Sequence, residues 1–530
     1  MRFTVVREVR PASYRSLSSA RVDASMDRRA CLAITARILS EFMVGLAIGL
    51  EWGAVGSVEP CGRFVRVSAG SVGETRPLGL GRMMQRGPGE SQPLSHGGSS
   101  ARPLQNPPHG GPLPPQGDMR RIHGWRRLRG PSSDVPHPTM NHPGTPAVPP
   151  RLPVLDGVRG IAILLVVTHN LNLLTDPSGL AARLVVAGLE RGWLGVQLFF
   201  VLSGFLITGI LIDSRDDPRP YSQFFTSRAL RILPLYYGTL LVVFGLLPLL
   251  HLGTAATPLT IGSLVLFLSN WVQPFQPGDS PLPHFWSLAV EEQFYLLWPF
   301  AIARLSPKGI VRLCAAVALA ALAARALLIG LAFPSAAVYQ FSICRMDALA
   351  CGGAAAALLR WPAARAWLLQ RPLQVLLIGA AVVLAGAAAC NGYTQYKLTT
   401  QTAGYTALSI GFAAIVLALA CADMAPVPAR WAAPLRAAWL RRFGLYSYAM
   451  YVLHVPLHGL VGLPLLQSWG WAKPADLAPA AAYIAVGTLV SFAAGALSYH
   501  LFEVHFLRLK HRVRAMWANT PAGATTTRTA

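Results

Sequence analysis

Apolar runs of membrane length recur between residues 154 and 503, separated by short polar connections. They begin near Val154, Trp193, Leu233, Leu259, Phe285, Gly309, Met346, Pro372, Thr402, Gly444 and Leu477. About 20 apolar residues let a helix cross a hydrocarbon core of ~30 Å, so the pattern predicts an all-α, polytopic membrane helix bundle. Arginine-bearing connections follow Asp213, occupy 360–371 and 430–442, and recur in the tail at 508–514. Positive charge of this kind marks the cytoplasmic face. With both ends on that face the number of crossings is even, and the chain is expected to make about 10 spans. One short run, near Leu259 or near Met346, is then re-entrant or interfacial. No internal repeat suggests a transporter built from two related halves.

Residues 1–150 differ in kind. They are rich in Arg, Pro, Gly and Ser and run through PHGGPLPPQG and PSSDVPHPTMNHPGTPAVPP, a composition that predicts a disordered tail. The apolar run at 42–58 is short and interrupted by Glu51; it reads as a marginal helix rather than a span or a signal peptide. Met140, just upstream of the first clear span, offers an alternative translation start that would remove most of this tail. The expected organisation is a 1–150 tail, a 151–505 membrane domain and a 506–530 basic cytoplasmic tail.

Composition agrees with this picture: 53% of residues are hydrophobic, 13% are charged, and the mean hydropathy is +0.43. The net charge of +23 raises nucleic acid as a partner. The basic residues lie in loops and tails, not on a basic helix with interleaved aromatics, so none is expected. Seven cysteines are scattered without a CxxC pair or a His/Cys spacing suited to zinc, which points to neither a disulfide framework nor a metal site.

Several apolar segments carry residues that are costly in a bilayer. LDGVRGIAILLVVTHN, residues 155–170, holds Asp156, Arg159 and His169. An ionisable group at membrane depth costs roughly 2.5–3.5 kcal/mol on insertion scales and generally faces a bundle interior or wet cavity. In GWLGVQLFFVLSGFLITGIL, Gln197, Gly204 and Thr208 recur at i, i+7 and i+11 and share a helical face, either for packing or for lining a substrate path. FFTSRALRILPLYY sets Arg228 and Arg231 one turn apart, able to present two guanidinium forks to one anion or simply to anchor the helix. PHFWSLAVEEQFYLLWP holds adjacent Glu291 and Glu292. There Ser287, Glu291 and Tyr295 share a face, and Glu292 points about a quarter turn away. In GLYSYAMYVLHVPLHGL, Ser447, Tyr451, His454 and His458 form a polar stripe.

Taken in order, LDGVRGIAILLVVTHN, GWLGVQLFFVLSGFLIT, FFTSRALRILPLYY, HFWSLAVEEQFYLLWP, RMDALACGG, GLYSYAMYVLHVPL and SYHLFEVHFLRLK resemble the membrane acyltransferase-3 family over about 350 residues. These are multi-span O-acyltransferases acting on cell-surface glycans and some secondary metabolites. The resemblance implies transfer of an acyl group, commonly acetyl from acetyl-CoA, to a carbohydrate or glycolipid hydroxyl inside a bundle in the bacterial inner (plasma) membrane. Acyl-CoA is then a donor substrate and no cofactor is bound. Membrane lipids are the other expected partner.

Carried over by position, the family's first-span arginine falls on Arg159 and its histidine on His169. The family usually places ten residues between the two; here nine intervene, and Asn170 occupies the usual slot, which turns His169 some 80° from Arg159 at about 100° per residue. Gln197 stands where an aspartate commonly follows the GV pair. Ester formation needs a base near the acceptor hydroxyl, and His169 is the expected one, with His454 as its competitor. Glu291 or Glu292 would orient the imidazole or bind sugar, Arg159 would pair with Asp156 or stabilise an oxyanion, and Arg228 and Arg231 would hold the donor phosphates. Gln197, Ser203, Tyr451 and His454 complete the expected substrate-binding set. Two other classes stay open: a lipid or secondary-metabolite O-acyltransferase, and a non-enzymatic carrier of lipid-linked sugar.

Overall fold

Prolines and small polar caps start the helices that the hydropathy pattern predicts. Pro153 opens α1 (Pro153–Asn170), where its missing N–H costs nothing. The Ser306 hydroxyl accepts from the Gly309 amide at the start of α7. The computed structural model describes residues 152–174, 179–217, 219–252, 256–425, 429–469 and 477–510. The tail expected over 1–150, the run at 42–58, the start at Met140 and the tail beyond Lys510 lie outside them.

The described residues form an all-helical bundle. In chain order its main elements are α1, α2 (Gly179–Glu190), α3 (Leu194–Asp213), α4 (Pro220–Leu241), α5 (Pro258–Val265), α6 (Trp286–Ile302), α7 (Pro307–Gly330), α8 (Ser342–Leu358), α9 (Pro372–Ala389), α10 (Tyr405–Met424), α11 (Ala438–Leu457) and α12 (Leu477–Ser498). Eight helical stretches are long and apolar enough to cross a membrane, and they contain α3, α4 and α7–α12. The shorter or more polar α1 and α6 run beside them, which accounts for the expected number of about ten. The final helical stretch continues to Lys510, past the boundary expected at 505.

Contacts at the helix ends show how these elements alternate. The Asp213 carboxylate at the end of α3 receives Arg360 Nε at 2.6 Å, just beyond α8. Arg215 donates to the last carbonyl of α6, Ile302, at 2.8 Å. Asp423 near the end of α10 takes the Val154 amide of α1 at 2.9 Å and Arg436 at 2.6 Å. One end of the bundle therefore gathers the start of α1 with the ends of α3, α6, α8 and α10, and carries these arginines.

The run near Leu259 is the short one. It forms only the eight-residue α5, which Phe267 closes in the left-handed region at φ 55° while its ring stacks on Tyr236 at 4.2 Å. The run near Met346 belongs to α8 and crosses the bundle. Where α3 and α8 cross, a Cβ on Gly204 would lie 1.9 Å from the Leu349 carbonyl oxygen, and one on Gly352 2.0 Å from that of Val201. Glycine at these two positions lets the backbones touch, the way membrane helices associate without a hydrophobic driving force.

Candidate active site

α1, α3, α4, α6 and α11 enclose a cavity of about 110 Å³ whose lining includes Arg159, Ser203, Arg228, Arg231, Ser287, Glu291, Tyr295, Ser447 and Tyr451. Helical spacing explains the convergence. Glu291 and Tyr295 are one turn apart on α6, and the Tyr295 hydroxyl donates to Glu291 Oε2 at 2.9 Å. From α3, Ser203 donates to Glu291 Oε1 at 2.9 Å and lies 3.0 Å from the Tyr295 hydroxyl. Both carboxylate oxygens are thus held, which fixes the rotamer of Glu291. Glu292 points elsewhere: it does not line the cavity, and its Oε1 is buried without a hydrogen-bond partner among the described residues.

Three guanidinium groups reach this space. Arg159 pairs with Asp156 one turn earlier on α1, at 3.1 Å. Arg228 lies over the rings of Phe224 and Tyr295 at 5.8 and 5.9 Å, with its Nε buried and unpartnered. Among the described residues neither Arg228 nor Arg231 has a carboxylate within ion-pair distance. The lining thus holds three guanidinium groups, which offer N–H donors in a planar fork, and one carboxylate, Glu291.

At the other end of the cavity Ser287 and Tyr451 share a hydrogen bond of 2.6 Å, and the Tyr451 hydroxyl donates to the His284 carbonyl at 2.9 Å. Behind them sits His454, fully buried. Its Nδ1 lies 2.7 Å from the Tyr451 carbonyl and so carries the proton, and its Nε2 accepts from Asn170 Nδ2 at 3.1 Å.

The structure brings together Arg159, Ser203, Arg228, Arg231, Glu291 and Tyr451 from the expected set, and leaves His169, Gln197, Glu292 and His454 outside the cavity lining. The shortened spacing in α1 explains His169. Asn170 takes the inward direction and meets His454, while His169 turns toward α2 and holds the Leu189 carbonyl through Nδ1 at 2.8 Å. Gln197 faces away from the cavity: it donates to Ser409 Oγ at 2.8 Å and accepts from Arg345. His284, which the sequence does not mark, lies in the turn before α6, where its carbonyl holds Tyr451 from behind the cavity wall without lining the cavity. The only signal for it is its position three residues before Ser287, at the start of the polar face. Among the described residues no cluster of His, Cys, Asp and Glu is suited to hold a metal ion.

Comparison with known proteins places this bundle. Residues 152–499 match the family described as "Acyltransferase domain". The chain is similar to the putative peptidoglycan O-acetyltransferase YrhL of Bacillus subtilis, 29% identical over 382 residues, covering 66% of this chain and 54% of that one. It is also similar to the O-acetyltransferase OatA of Staphylococcus aureus, 33% identical over 181 residues, covering 31% of this chain and 27% of that one. The peptidoglycan O-acetyltransferase OatA of Listeria monocytogenes is 32% identical over 165 residues, covering 28% and 24%. The chain thus spans about half of the first relative's length and about a quarter of the other two. No solved structure matches. The matched stretch coincides with the bundle that holds the cavity, and the chain belongs to the acyltransferase-3 family.

Proposed function

We propose that this protein is a membrane O-acyltransferase that moves an acyl group, acetyl by preference, from acyl-CoA to a hydroxyl of a cell-surface polysaccharide or glycolipid at the bacterial inner membrane. Peptidoglycan, the acceptor in the names of two relatives, is the first to test. The observation that carries the reading is the set of three arginines around one cavity, two of them without a carboxylate partner. An acyl-CoA brings phosphates to match such a surplus, and the positive-inside rule puts this end in the cytoplasm, where the donor is made. The small cavity suits a short acyl group: at ~10–15 Å³ for each water it has room for about eight.

In this reading Arg228 and Arg231 hold donor phosphates, Arg159 stabilises negative charge on the thioester oxygen as the acceptor attacks, and Glu291 fixes the sugar or the thioester through its locked carboxylate. His169 has its Nδ1–H committed to the Leu189 carbonyl, so Nε2 is its lone pair. It stands ten residues and ~15 Å along α1 from Arg159 and faces α2.

Purified full-length protein in lipid nanodiscs, given acetyl-CoA labelled in the acetyl group and a soluble muropeptide, should produce labelled ester in proportion to enzyme. A carrier of lipid-linked sugar would yield no labelled ester under any condition, and that result would sink the proposal.

A further inference from the structure

Two exposed rings stand just beyond the arginine-lined end of the cavity. On α4 the lining begins at Arg228, and Tyr221 lies seven residues and ~10 Å earlier on the same face of the helix. On α6 the lining ends at Tyr295, and Phe300 lies five residues further toward the same end of the bundle. Arg215 ties these two helix ends together: from the turn before α4 it donates to the Ile302 carbonyl at 2.8 Å. This is the arginine-bearing end that the positive-inside rule gives to the cytoplasm.

A ladder of rings joins the cavity to this rim. Arg228 lies over Phe224 at 5.8 Å, and Phe224 meets Phe225 edge-on at 5.3 Å. Phe225 stacks on Phe300 at 6.0 Å, and Phe300 stacks on Tyr221 at 5.7 Å with the two planes 17° apart. Phe224 is buried, whereas Tyr221 is 39% and Phe300 56% exposed. The ladder therefore starts inside the bundle and ends in two near-parallel rings with open faces. An interfacial anchor needs a polar tip on its ring, as Tyr and Trp have and Phe300 lacks, and it needs no particular geometry toward its neighbours. Flat rings beside a guanidinium are instead the combination that holds a nucleotide, with the base on the ring and the phosphates on the cation.

We infer that Tyr221 and Phe300 form the stacking platform for the purine base of the acyl-CoA donor, at the cytoplasmic mouth of the cavity. This rests on the acyl-transfer reading with acyl-CoA as donor. The base lies against the open face of the ring pair, the diphosphate reaches Arg228 about two helical turns further in, and the pantetheine arm carries the thioester on into the cavity. Stacking takes no account of the acyl group, so the platform supplies affinity for the donor and leaves the choice of acyl chain to the cavity. CoA keeps its base and phosphates after it has given up the acyl group, so the same contacts hold the product, and free CoA competes with the donor.

The test measures equilibrium binding to full-length protein in nanodiscs of two ligands that share the thioester and its arm: acetyl-CoA, and S-acetyl phosphopantetheine, which has no base. Tyr221→Ala and Phe300→Ala should each weaken acetyl-CoA by roughly 5- to 100-fold, the range for loss of one base–aromatic stack, and leave the affinity for S-acetyl phosphopantetheine as in wild type. Tyr221→Phe, which keeps the ring, should bind acetyl-CoA like wild type. Phe300→Leu keeps an apolar side chain at the membrane surface without a π-face; it should lose as much as the alanine variant and carries the test if that variant does not fold. Unchanged acetyl-CoA affinity in folded Tyr221→Ala and Phe300→Leu proteins would overturn the inference, and so would equal losses for both ligands, the mark of rings that only hold the helix ends in place. Wild-type protein that binds neither ligand would instead overturn the acyl-CoA reading.

Discussion

Around the cavity, Arg159, Arg228 and Arg231 face one carboxylate in the lining, Glu291, and space is left over. Between α3, α7, α8 and α10, Arg325 and Arg345 are buried with one bonded carboxylate, Asp347, which pairs with Arg325. Arg325 and Asp347 are both fully buried and pair at 2.9 Å, and Arg325 also donates to Thr406 Oγ1 at 2.6 Å. Arg345 meets Gln197 and lies over Tyr405, Tyr339 and Phe200 at 4.5, 5.0 and 5.6 Å, an aromatic cage in place of a counter-ion. The two regions use the same residue types and both are short of negative charge. What separates the cavity from this second region, a structural brace, is unfilled volume beside the cations: Arg325 Nε and Arg345 Nε and Nη1 also lack hydrogen-bond partners among the described residues, but aromatic rings and a glutamine pack against Arg345, whereas the arginines of the cavity border open space.

The largest expected effect breaks the brace. Among the described residues Asp347 is the one carboxylate bonded to Arg325, and Asp347→Asn leaves that buried cation uncompensated, a change of about 3–5 kcal/mol for a buried pair. Thermal unfolding in detergent should show a marked drop in apparent Tm, and an unchanged Tm would mean the cluster is not the brace described here. A smaller effect of opposite sign is expected from Gln197→Glu. This isosteric change puts a carboxylate where Gln197 Oε1 already meets Arg345, and Ser409 can donate to its other oxygen by turning its hydroxyl from the Tyr405 carbonyl. It should raise stability by about 1 kcal/mol; a fall in Tm would show that the aromatic cage alone satisfies Arg345.

The smallest effect lies in the loop after α5, outside both clusters. Hydrogen bonds from the Thr260 and Thr257 hydroxyls hold the Asp279 carboxyl below the usual carboxylate range. A depressed folded value contributes stability above the unfolded pKa and loses it as pH falls through the folded one. Amide exchange at Thr257 and Thr260 should therefore quicken only on acidification through the carboxylate range, and protection that is constant down to that range and below it would remove Asp279 as the tie.

Much of the helix layout was legible because period and length report burial directly: the runs from Val154 to Leu477 became helices, and parity pointed to a short segment that proved to be α5. Facing within one helix was legible as well. The i+3 pairing of Asp156 with Arg159, the shared face of Glu291 and Tyr295, and the turn of His169 away from Arg159 all follow from 100° per residue. Contacts between helices were not. That Ser203 of α3 would meet Glu291 of α6, or that Gln197 would meet Arg345 of α8, depends on which helices cross and at what height, and apolar patterning is silent on both. His284 was harder still, since it sits in a turn, where no helical period marks which way its ring points.

The central claim is that the under-neutralised arginines of the cavity bind an anionic acyl donor, and direct binding tests it. Equilibrium titration of acetyl-CoA into purified protein should give saturable binding. Arg228→Ala and Arg231→Ala should each weaken it by about ten- to a hundredfold, as loss of a charged hydrogen bond of ~1.5–3 kcal/mol implies, without lowering Tm. Equal acetyl-CoA affinity in wild type and both variants, all folded, would contradict the account.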